Sequence, residues 1–455
     1  MKQIQPLRTM AQRLLLLVLG ISVLSVAKAQ TSAPLSLKEA LQYALKNKAD
    51  AVKATLDEEN SQHKIDDAKS QALPHVSANG SLTYNPVLQL TALPGDLAGQ
   101  PGKTLLIPMG QKWNSGASLS LSQNLFDKSV FTGLKAAKTT QQYYQIMAGL
   151  TNEQVIEQVA TQYYQILVQR QQLSVVDSNI AITSRVKNVI EGQYKSGLAK
   201  KIDLDRSIVN LSNLEAQQQQ LVNTVQLQEN TLKFYMGLPI ETPINIPASA
   251  MDSIRVQLSL DDNTPDVTKL SNYRLLKKQE ELLVLQKEAT AAAYYPSLSL
   301  SGNYGYQGLG SKFPIGTGAN WFDYASVGLN LKIPLFNGFS TRAKVREADI
   351  DIRKLREDIK NTELSLNLTY QNARTQIHNS IITLNKQKQN VTLAEEVYGN
   401  TQNNYTQGLA PLTDLLDAES SLTTAQNNYS AALLDYRLAE IQLLKAQGNL
   451  QSLLN

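Results

Sequence analysis

The chain has 455 residues, no cysteine and a formal net charge of +4 at pH 7. The lack of cysteine excludes disulfides and thiolate metal sites. Four of the 43 basic residues and no acidic residue lie in the first 29 positions, which leaves 39 basic against 39 acidic residues and no bulk electrostatic attraction for nucleic acid.

The first 29 residues predict a secretory signal peptide. Lys2, Arg8 and Arg13 form a basic start, residues 14–26 are apolar, and Ala-Lys-Ala at 27–29 is a small-residue cleavage site. The alternative is an N-terminal membrane anchor, but the apolar run is too short to span a bilayer as a helix. We therefore expect segment 1–29 to be removed on export.

The rest of the chain contains an internal duplication. Four anchors recur in the same order at an offset of about 210 to 222 residues: 74–80 with 296–302, 119–126 with 329–336, 194–199 with 405–410, and Gly237 with Gly448. They predict three regions after the signal peptide: a first structural repeat at 30–245, an inter-repeat linker at 246–267 and a second structural repeat at 268–455.

Four segments of about ten residues alternate apolar with polar side chains: 75–84, 116–126, 297–306 and 326–336. This period of two predicts β-strands, and the length suits a tilted strand that crosses a bilayer. The polar positions are mostly Ser and Asn, which favours a water-filled lumen over the wet face of a soluble sandwich. Each strand pair encloses a Gly- and Pro-rich loop, at about 85–115 and 307–325, as is typical of the extracellular side of such barrels.

Aromatic residues lie at the ends of the predicted strands. They predict two aromatic girdles at the membrane interfaces, with scattered core aromatics as the alternative. The residues are Trp113, Trp321, Phe322 and Tyr324 at the loop end and Phe126 and Phe336 at the opposite end.

The remaining segments predict long helices. From about 130 to 193 there is no proline, and apolar residues recur three or four positions apart, as in a coiled-coil seam. At 1.5 Å per residue such a helix reaches roughly 100 Å, so it needs neighbours along its whole length. Similar runs cover about 36–72, 204–235, 268–293, 340–404 and 412–446.

Four strands are too few to close a membrane barrel, which needs at least about eight. The predicted chain must therefore assemble with copies of itself around an axis. Two copies would give eight strands and a barrel filled by side chains, whereas three would give twelve and room for a lumen. This argument favours three or more copies and does not fix the number.

The layout resembles the outer-membrane efflux (TolC-like) protein family over nearly the whole mature chain. The opening Leu-Ser-Leu-Lys-Glu-Ala-Leu at 35–41 is similar to the family's first helix, and the two strand pairs, two Tyr-x-x-Gly-Leu turns and Gly448 fall in family order. The resemblance implies a mainly α fold with a membrane β-barrel. Long antiparallel helices would form an α-barrel, and four strands per chain would contribute to a trimeric twelve-stranded barrel.

The resemblance also implies an outer-membrane channel subunit of a tripartite efflux or type I secretion system, extending into the periplasm. This passive exit duct would be a homotrimer in outer-membrane lipid, working with a periplasmic adaptor (membrane fusion) protein and an inner-membrane transporter, without cofactor, metal or nucleic acid. The sequence holds no nucleophile motif, metal-spaced ligand set or phosphate loop that would predict an enzyme. The alternative is a secreted structural or adhesive coiled-coil protein, which would not need four alternating strands.

Two glycine-containing turns interrupt the helical runs, and each predicts a helix end. Asp203 and Asp414 follow in the first turn of the next helix, where the helix dipole alone accounts for a carboxylate. The resemblance implies that these turns form the periplasmic end of the channel. There, Asp414 and Asp417 would line a constriction and attract cations, while Tyr405 and Asp203 would form a closing contact.

The resemblance further implies that the exposed corners of the two turns dock the adaptor. These corners are Gly197, Leu198 and Ala199 in the first turn and Gly408, Leu409 and Ala410 in the second. A second closing contact of the family, between Arg and Thr, is replaced here by non-matching residues near Ala410 and Ile202. We therefore expect closure to depend more on packing.

Overall fold

The computed structural model describes residues 34–94, 96, 99, 101–247, 266–314 and 319–454. The predicted signal peptide and most of the predicted linker 246–267 lie outside the described residues. The first half contains α1 (Leu37–Asn47), α2 (Ala49–Ser70), β1 (His75–Tyr84), β2 (Gln89–Pro94), β3 (Thr104–Met109), β4 (Trp113–Phe126), α3 (Lys128–Lys195) and α4 (Lys201–Met236). The second half contains α5 (Ser271–Ala291), β5 (Ser297–Gly310), β6 (Asn320–Lys332), α6 (Ser340–Thr406) and α7 (Leu412–Ala446).

The longest helices recur in the two halves with almost equal lengths. Helices α3 and α6 have 68 and 67 residues, and α4 and α7 have 36 and 35. At 1.5 Å per residue, α3 and α6 each extend about 100 Å. Each pairs with the shorter helix after it, giving a first hairpin (α3 and α4) and a second hairpin (α6 and α7).

The start of α1 explains the sequence motif at 35–41. The Ser36 side chain accepts a hydrogen bond from the Glu39 backbone N–H, and the Glu39 carboxylate accepts one from the Ser36 N–H at 2.8 Å. This reciprocal capping box satisfies two backbone donors that a helix start leaves unpaired. These hydrogen bonds also hold the pKa of the Glu39 carboxyl below its usual value.

The predicted single run 36–72 is two helices, broken at Lys48. Lys48 is extended (φ −64°, ψ 128°), and its ammonium donates a hydrogen bond to the Phe234 carbonyl oxygen at 3.2 Å and lies 3.8 Å from the Phe234 ring centroid. Gly237 ends α4 with a φ of +73°, and a Cβ there would lie 2.7 Å from the Asn47 carbonyl oxygen. The break therefore lets the chain pass closely over the end of α4.

The main core lies around α1, the middle of α3 and the ends of α4 and α7. Buried side chains such as Leu41, Tyr163 and Leu232 form it, and the Tyr163 hydroxyl donates a hydrogen bond to the Leu35 carbonyl oxygen at 2.9 Å. The Leu35 N–H in turn donates to the Asn245 carbonyl oxygen at 2.7 Å. The segments that enter and leave the first half are thus held together beside this core.

Strands β1, β4, β5 and β6 form an antiparallel sheet in the order β1-β4-β5-β6. Because directly paired residues lie on the same face of a sheet, the register sorts every position to one of two faces. One face, the apolar face, carries Val76, Ala78, Leu82, Ala117, Leu119, Leu121, Leu298, Leu300, Ala325, Val327, Leu329 and Leu331. The other, the polar face, carries Ser77, Asn79, Ser81, Ser118, Ser120, Ser122, Ser299, Ser301, Asn303, Ser326 and Asn330.

The alternation seen in the sequence therefore describes one continuous sheet, although the bounds of three strands were wrong. The predicted strand 297–306 is β5, which continues to Gly310. The predicted strand 326–336 is β6, which starts at Asn320 and ends at Lys332. Pro334 lacks the N–H that the ladder requires, so the chain leaves the sheet before it. The predicted strand 116–126 starts earlier, at Trp113. A hairpin of β2 and β3 also occupies much of the predicted loop 85–115.

The described helices do not include a stretch long and apolar enough to cross a membrane.

Candidate functional site at the helical tips

The two hairpins end in tips with the same backbone geometry. Gly197 and Gly408 have φ values of +74° and +75°, the left-handed conformation that glycine adopts without steric cost. The Leu198 and Leu409 N–H groups donate hydrogen bonds back to Gln193 and Asn404 carbonyl oxygens, both at 2.8 Å. These bonds close the last turns of α3 and α6, and the chain then reverses into α4 and α7.

The predicted corner residues lie at the outer surface of the tips. Leu198 is 83% exposed and Leu409 is 73% exposed, although both are large apolar side chains. Ala199 and Ala410 are half-buried, while Gly197 and Gly408 are exposed. Each tip therefore presents one leucine to its surroundings on a tightly constrained turn.

Just inside the tips, the two hairpins pack against each other. Ile190, Leu412 and Leu415 are buried in one apolar cluster, with Ala199 and Leu204 among the half-buried residues around it. These residues come from both hairpins, so the cluster joins the two near their tips.

Tyr405 and Asp203 are brought together across the two hairpins. Tyr405 packs on the cluster that Leu415 helps to form, and Asp203 lies in the first turn of α4. Burial raises the pKa of the Tyr405 hydroxyl, and the negative charge of Asp203 raises it further. The phenol therefore stays protonated at neutral pH, and the Asp203 carboxylate lies close enough to act on it electrostatically.

Asp414 and Asp417 are exposed side chains in the first turns of α7. They are three residues apart and so share one side of the helix. The Thr413 hydroxyl donates a hydrogen bond to Asp414 Oδ1 at 3.4 Å. Within one chain the two carboxylates therefore form a small acidic surface beside the second tip.

The aromatic residues predicted as girdles divide between the two faces of the sheet. Trp113, Trp321 and Phe126 lie on the apolar face, the last because a β-bulge after Asn124 shifts the register by one residue. Phe322 and Tyr324 pair with Gln307 and Gly305 on the polar face, so placing them in the same girdle as Trp321 was wrong. Because side chains alternate between faces along a strand, Phe322 lies on the face opposite to its neighbour Trp321.

Two tyrosines on the apolar face, absent from the predicted girdle residues, contact the tryptophans at the loop end. The ring centroids of Tyr84 and Trp113 are 4.6 Å apart, and those of Tyr306 and Trp321 are 5.1 Å apart. At the helical end, Phe336 follows β6 and packs edge-on against Phe339 at 5.4 Å. The signal that could have identified Tyr84 is its position opposite Trp113 once the hairpin register is known.

Comparison with known proteins supports the fold and shows which family the chain resembles. The model of the family described as "Outer membrane efflux protein" matches residues 281–449. Over that segment the chain is similar to this family. It is 24% identical to the outer membrane protein TolC of Vibrio cholerae over 341 residues, which are 73% of this chain and 76% of that protein. It is 21% identical to TolC of Escherichia coli strain K12 over 453 residues, covering 96% and 87% of the two chains.

A solved structure confirms the fold. The outer membrane protein VceC of Vibrio cholerae superposes with a TM-score of 0.69 at 18% identity, covering 90% of this chain and 96% of that one. The predicted fold class, mainly helical with a strand-bearing end, is therefore correct.

Proposed function

We propose that three copies of this outer-membrane efflux protein assemble into a passive channel that crosses the outer membrane and extends through the periplasm. The observation that carries the proposal is the sheet, which has one apolar face, one hydroxyl- and amide-lined face, and two strands, β1 and β6, that each pair on one side only. A bilayer tolerates such edges only when they are paired.

The strand directions support closure between copies. The four strands alternate in direction, so β6 of one copy and β1 of the next are antiparallel, as in a closed up-and-down barrel. Three copies supply twelve strands, which leaves a water-filled interior, whereas eight strands are filled by side chains. The apolar face then turns to lipid and the Ser and Asn side chains turn to the lumen.

The two hairpins continue the channel on the side opposite the extracellular loops. At about 100 Å they are long enough to form a helical tunnel through the periplasm. We propose that the tips dock a periplasmic adaptor protein and, through it, an inner-membrane transporter that supplies the energy, in an efflux or type I secretion system. A secreted adhesive coiled coil is disfavoured, because it has no use for a predominantly apolar, exposed face on a four-stranded sheet.

Imaging of the intact protein tests the assembly. We expect cryo-electron microscopy of the detergent-purified mature chain to show threefold symmetry and a continuous lumen. A monomer that is soluble without detergent, or a closed barrel of two copies, would contradict the proposal.

A pair of adjacent substitutions in β6 tests the orientation of the sheet. Val327, 83% exposed on the apolar face, becomes arginine in one variant, and its neighbour Ser326 on the polar face becomes arginine in the control. A lipid-facing arginine near the bilayer midplane costs about 2–4 kcal/mol in each chain. We expect Val327→Arg to abolish membrane-inserted trimers and Ser326→Arg to retain them, as measured by membrane fractionation and native gels. Equal loss in both variants would exclude the assigned faces.

A further inference from the structure

A ladder of polar side chains joins the first hairpin to the second, two helical turns into α7. Asn179 Nδ2 donates a hydrogen bond to Thr423 Oγ1 at 2.8 Å, and the Thr183 hydroxyl donates one to Glu419 Oε1. Asn210 Nδ2 of α4 lies 3.4 Å from Glu419 Oε2. These five residues are the polar ladder. Because each helix contributes residues four apart, the two rungs lie one turn apart on facing sides of α3 and α7.

The ladder is buried where the helices meet. Thr183 is fully buried, and Asn179 and Glu419 are only 6% and 7% exposed. A polar group in such a position is costly unless its hydrogen bonds are made, so the two hairpins can separate here only by exchanging these bonds for water. The ladder therefore couples the hairpins more specifically than the apolar cluster nearer the tips.

Glu419 is the one ionisable member of the ladder. Burial raises the pKa of its carboxyl, opposed by the hydrogen bond from Thr183. The facing helices bring no paired cation to it: α4 presents Asn210, α6 presents Tyr398, and Arg185 of α3 acts on Tyr398. On its own helix the nearest acid, Asp417, is exposed. An ionised Glu419 is thus poorly compensated in the packed arrangement.

We propose, on the basis of the channel function proposed above, that the polar ladder is a latch between the hairpins and that the charge on Glu419 sets how readily the periplasmic end opens. Protonated Glu419 makes the packed arrangement favourable. Ionised Glu419 favours separation of the hairpins, which returns the carboxylate to water.

The direction of the pH effect follows from the shift. A buried acid with a raised pKa stabilises the packed state most fully below the ordinary pKa of Glu, 4.5, and this contribution is lost as the pH rises through the raised value. Each unit by which the pKa in the packed state exceeds that in the open state contributes a factor of about ten to the open-to-packed ratio per chain. The channel should therefore open more readily as the pH increases, until Glu419 is fully ionised.

The first test compares Glu419→Gln with a matched exposed control in planar bilayers. Glutamine keeps the shape and hydrogen-bonding capacity of the protonated acid but cannot ionise. We expect wild-type open probability to rise between pH 5 and pH 8, Glu419→Gln to stay at the low-pH level throughout, and Glu395→Gln, on the exposed side of α6, to follow the wild type. Native gels and melting temperatures report that each variant folds and assembles.

The second test locks the latch covalently, which the absence of native cysteine makes unambiguous. Asn179→Cys with Thr423→Cys replaces one rung with a disulfide, and each single variant is the control. We expect conductance to fall to the closed level under oxidising conditions and to recover with a reductant.

The two tests separate the latch from the channel itself. If the wild type forms no pore, the proposed function fails. The latch proposal is contradicted if the wild type conducts but Glu419→Gln keeps the wild-type pH profile. It is also contradicted if the disulfide-locked channel opens as freely as its reduced form. Neither result contradicts the proposed channel function.

Discussion

The two helical tips have nearly the same backbone and different chemistry. Gly197 and Gly408 share one conformation and one hydrogen-bonding pattern, and each is followed by an exposed leucine. The first tip is flanked by basic residues at 195, 200, 201 and 206, whereas residues 404–417 around the second contain no basic residue and two acids, Asp414 and Asp417. The duplicated fold thus keeps its turn geometry, and its charges have diverged.

We expect the largest effect on export from substitution of the exposed leucines at the two tips. We predict that Leu198→Asp together with Leu409→Asp reduces export at least about tenfold, because a charged group replaces the apolar contact offered to the adaptor. The trimer should remain intact, since both side chains are exposed. Export assays of the double and the two single variants, alongside native gels, check this prediction. Export at the wild-type level in the double variant would show that these leucines do not take part in the proposed docking of the adaptor.

A smaller effect should distinguish the two tips electrostatically. In the proposed trimer, Asp414 and Asp417 supply six carboxylates near one axis, and these would attract cations. We predict that Asp414→Asn with Asp417→Asn lowers cation preference several-fold, and that Asp203→Asn with Asp205→Asn near the first tip changes it less. Reversal potentials in a salt gradient measure both. Unchanged selectivity in the first double variant would exclude an acidic constriction.

The smallest effect should show that the two backbones are equivalent. Neither Gly197 nor Gly408 has a neighbour within 4 Å of an added Cβ, so alanine there meets only the cost of a left-handed conformation. We predict that Gly197→Ala and Gly408→Ala destabilise the protein equally, by about 1 kcal/mol each.

Gly237 provides the contrast for that measurement. It has a similar φ, but its added Cβ would collide with the Asn47 carbonyl oxygen. Gly237→Ala should therefore destabilise the protein by more than about 2 kcal/mol in thermal unfolding. A cost at Gly237 no larger than at the tips would show that the chain near Lys48 can move aside.

Most of the fold could be predicted from the sequence because its elements are long and strongly periodic. The alternation through Val327 and Leu329 and the proline-free run from 130 to 193 each allow one interpretation. The β2–β3 hairpin was missed because its strands are short and contain Pro94 and Pro108, and because β3 is continuously apolar at 105–109 and shows no period of two.

The site was less predictable because its geometry depends on pairing. Trp321 and Phe322 are adjacent large aromatic residues, and only the register with β5 shows which face of the sheet each one occupies. Likewise, Asn179 and Thr183 are two of many polar residues in a helix rich in Gln, Asn, Ser and Thr. Nothing local marks them as buried until α7 brings Glu419 against them.

The free edges of β1 and β6 have a consequence for biogenesis. A long unpaired edge in water is a template for pairing with any other extended chain, and in hydrocarbon it is strongly unfavourable. A newly exported subunit is therefore unstable by itself, both in water and in the bilayer. Its assembly should depend steeply on subunit concentration and on chaperones that bind extended segments. In the proposed trimer, co-expressed subunits with a damaged β6 edge should therefore inactivate the mixed assemblies that they enter.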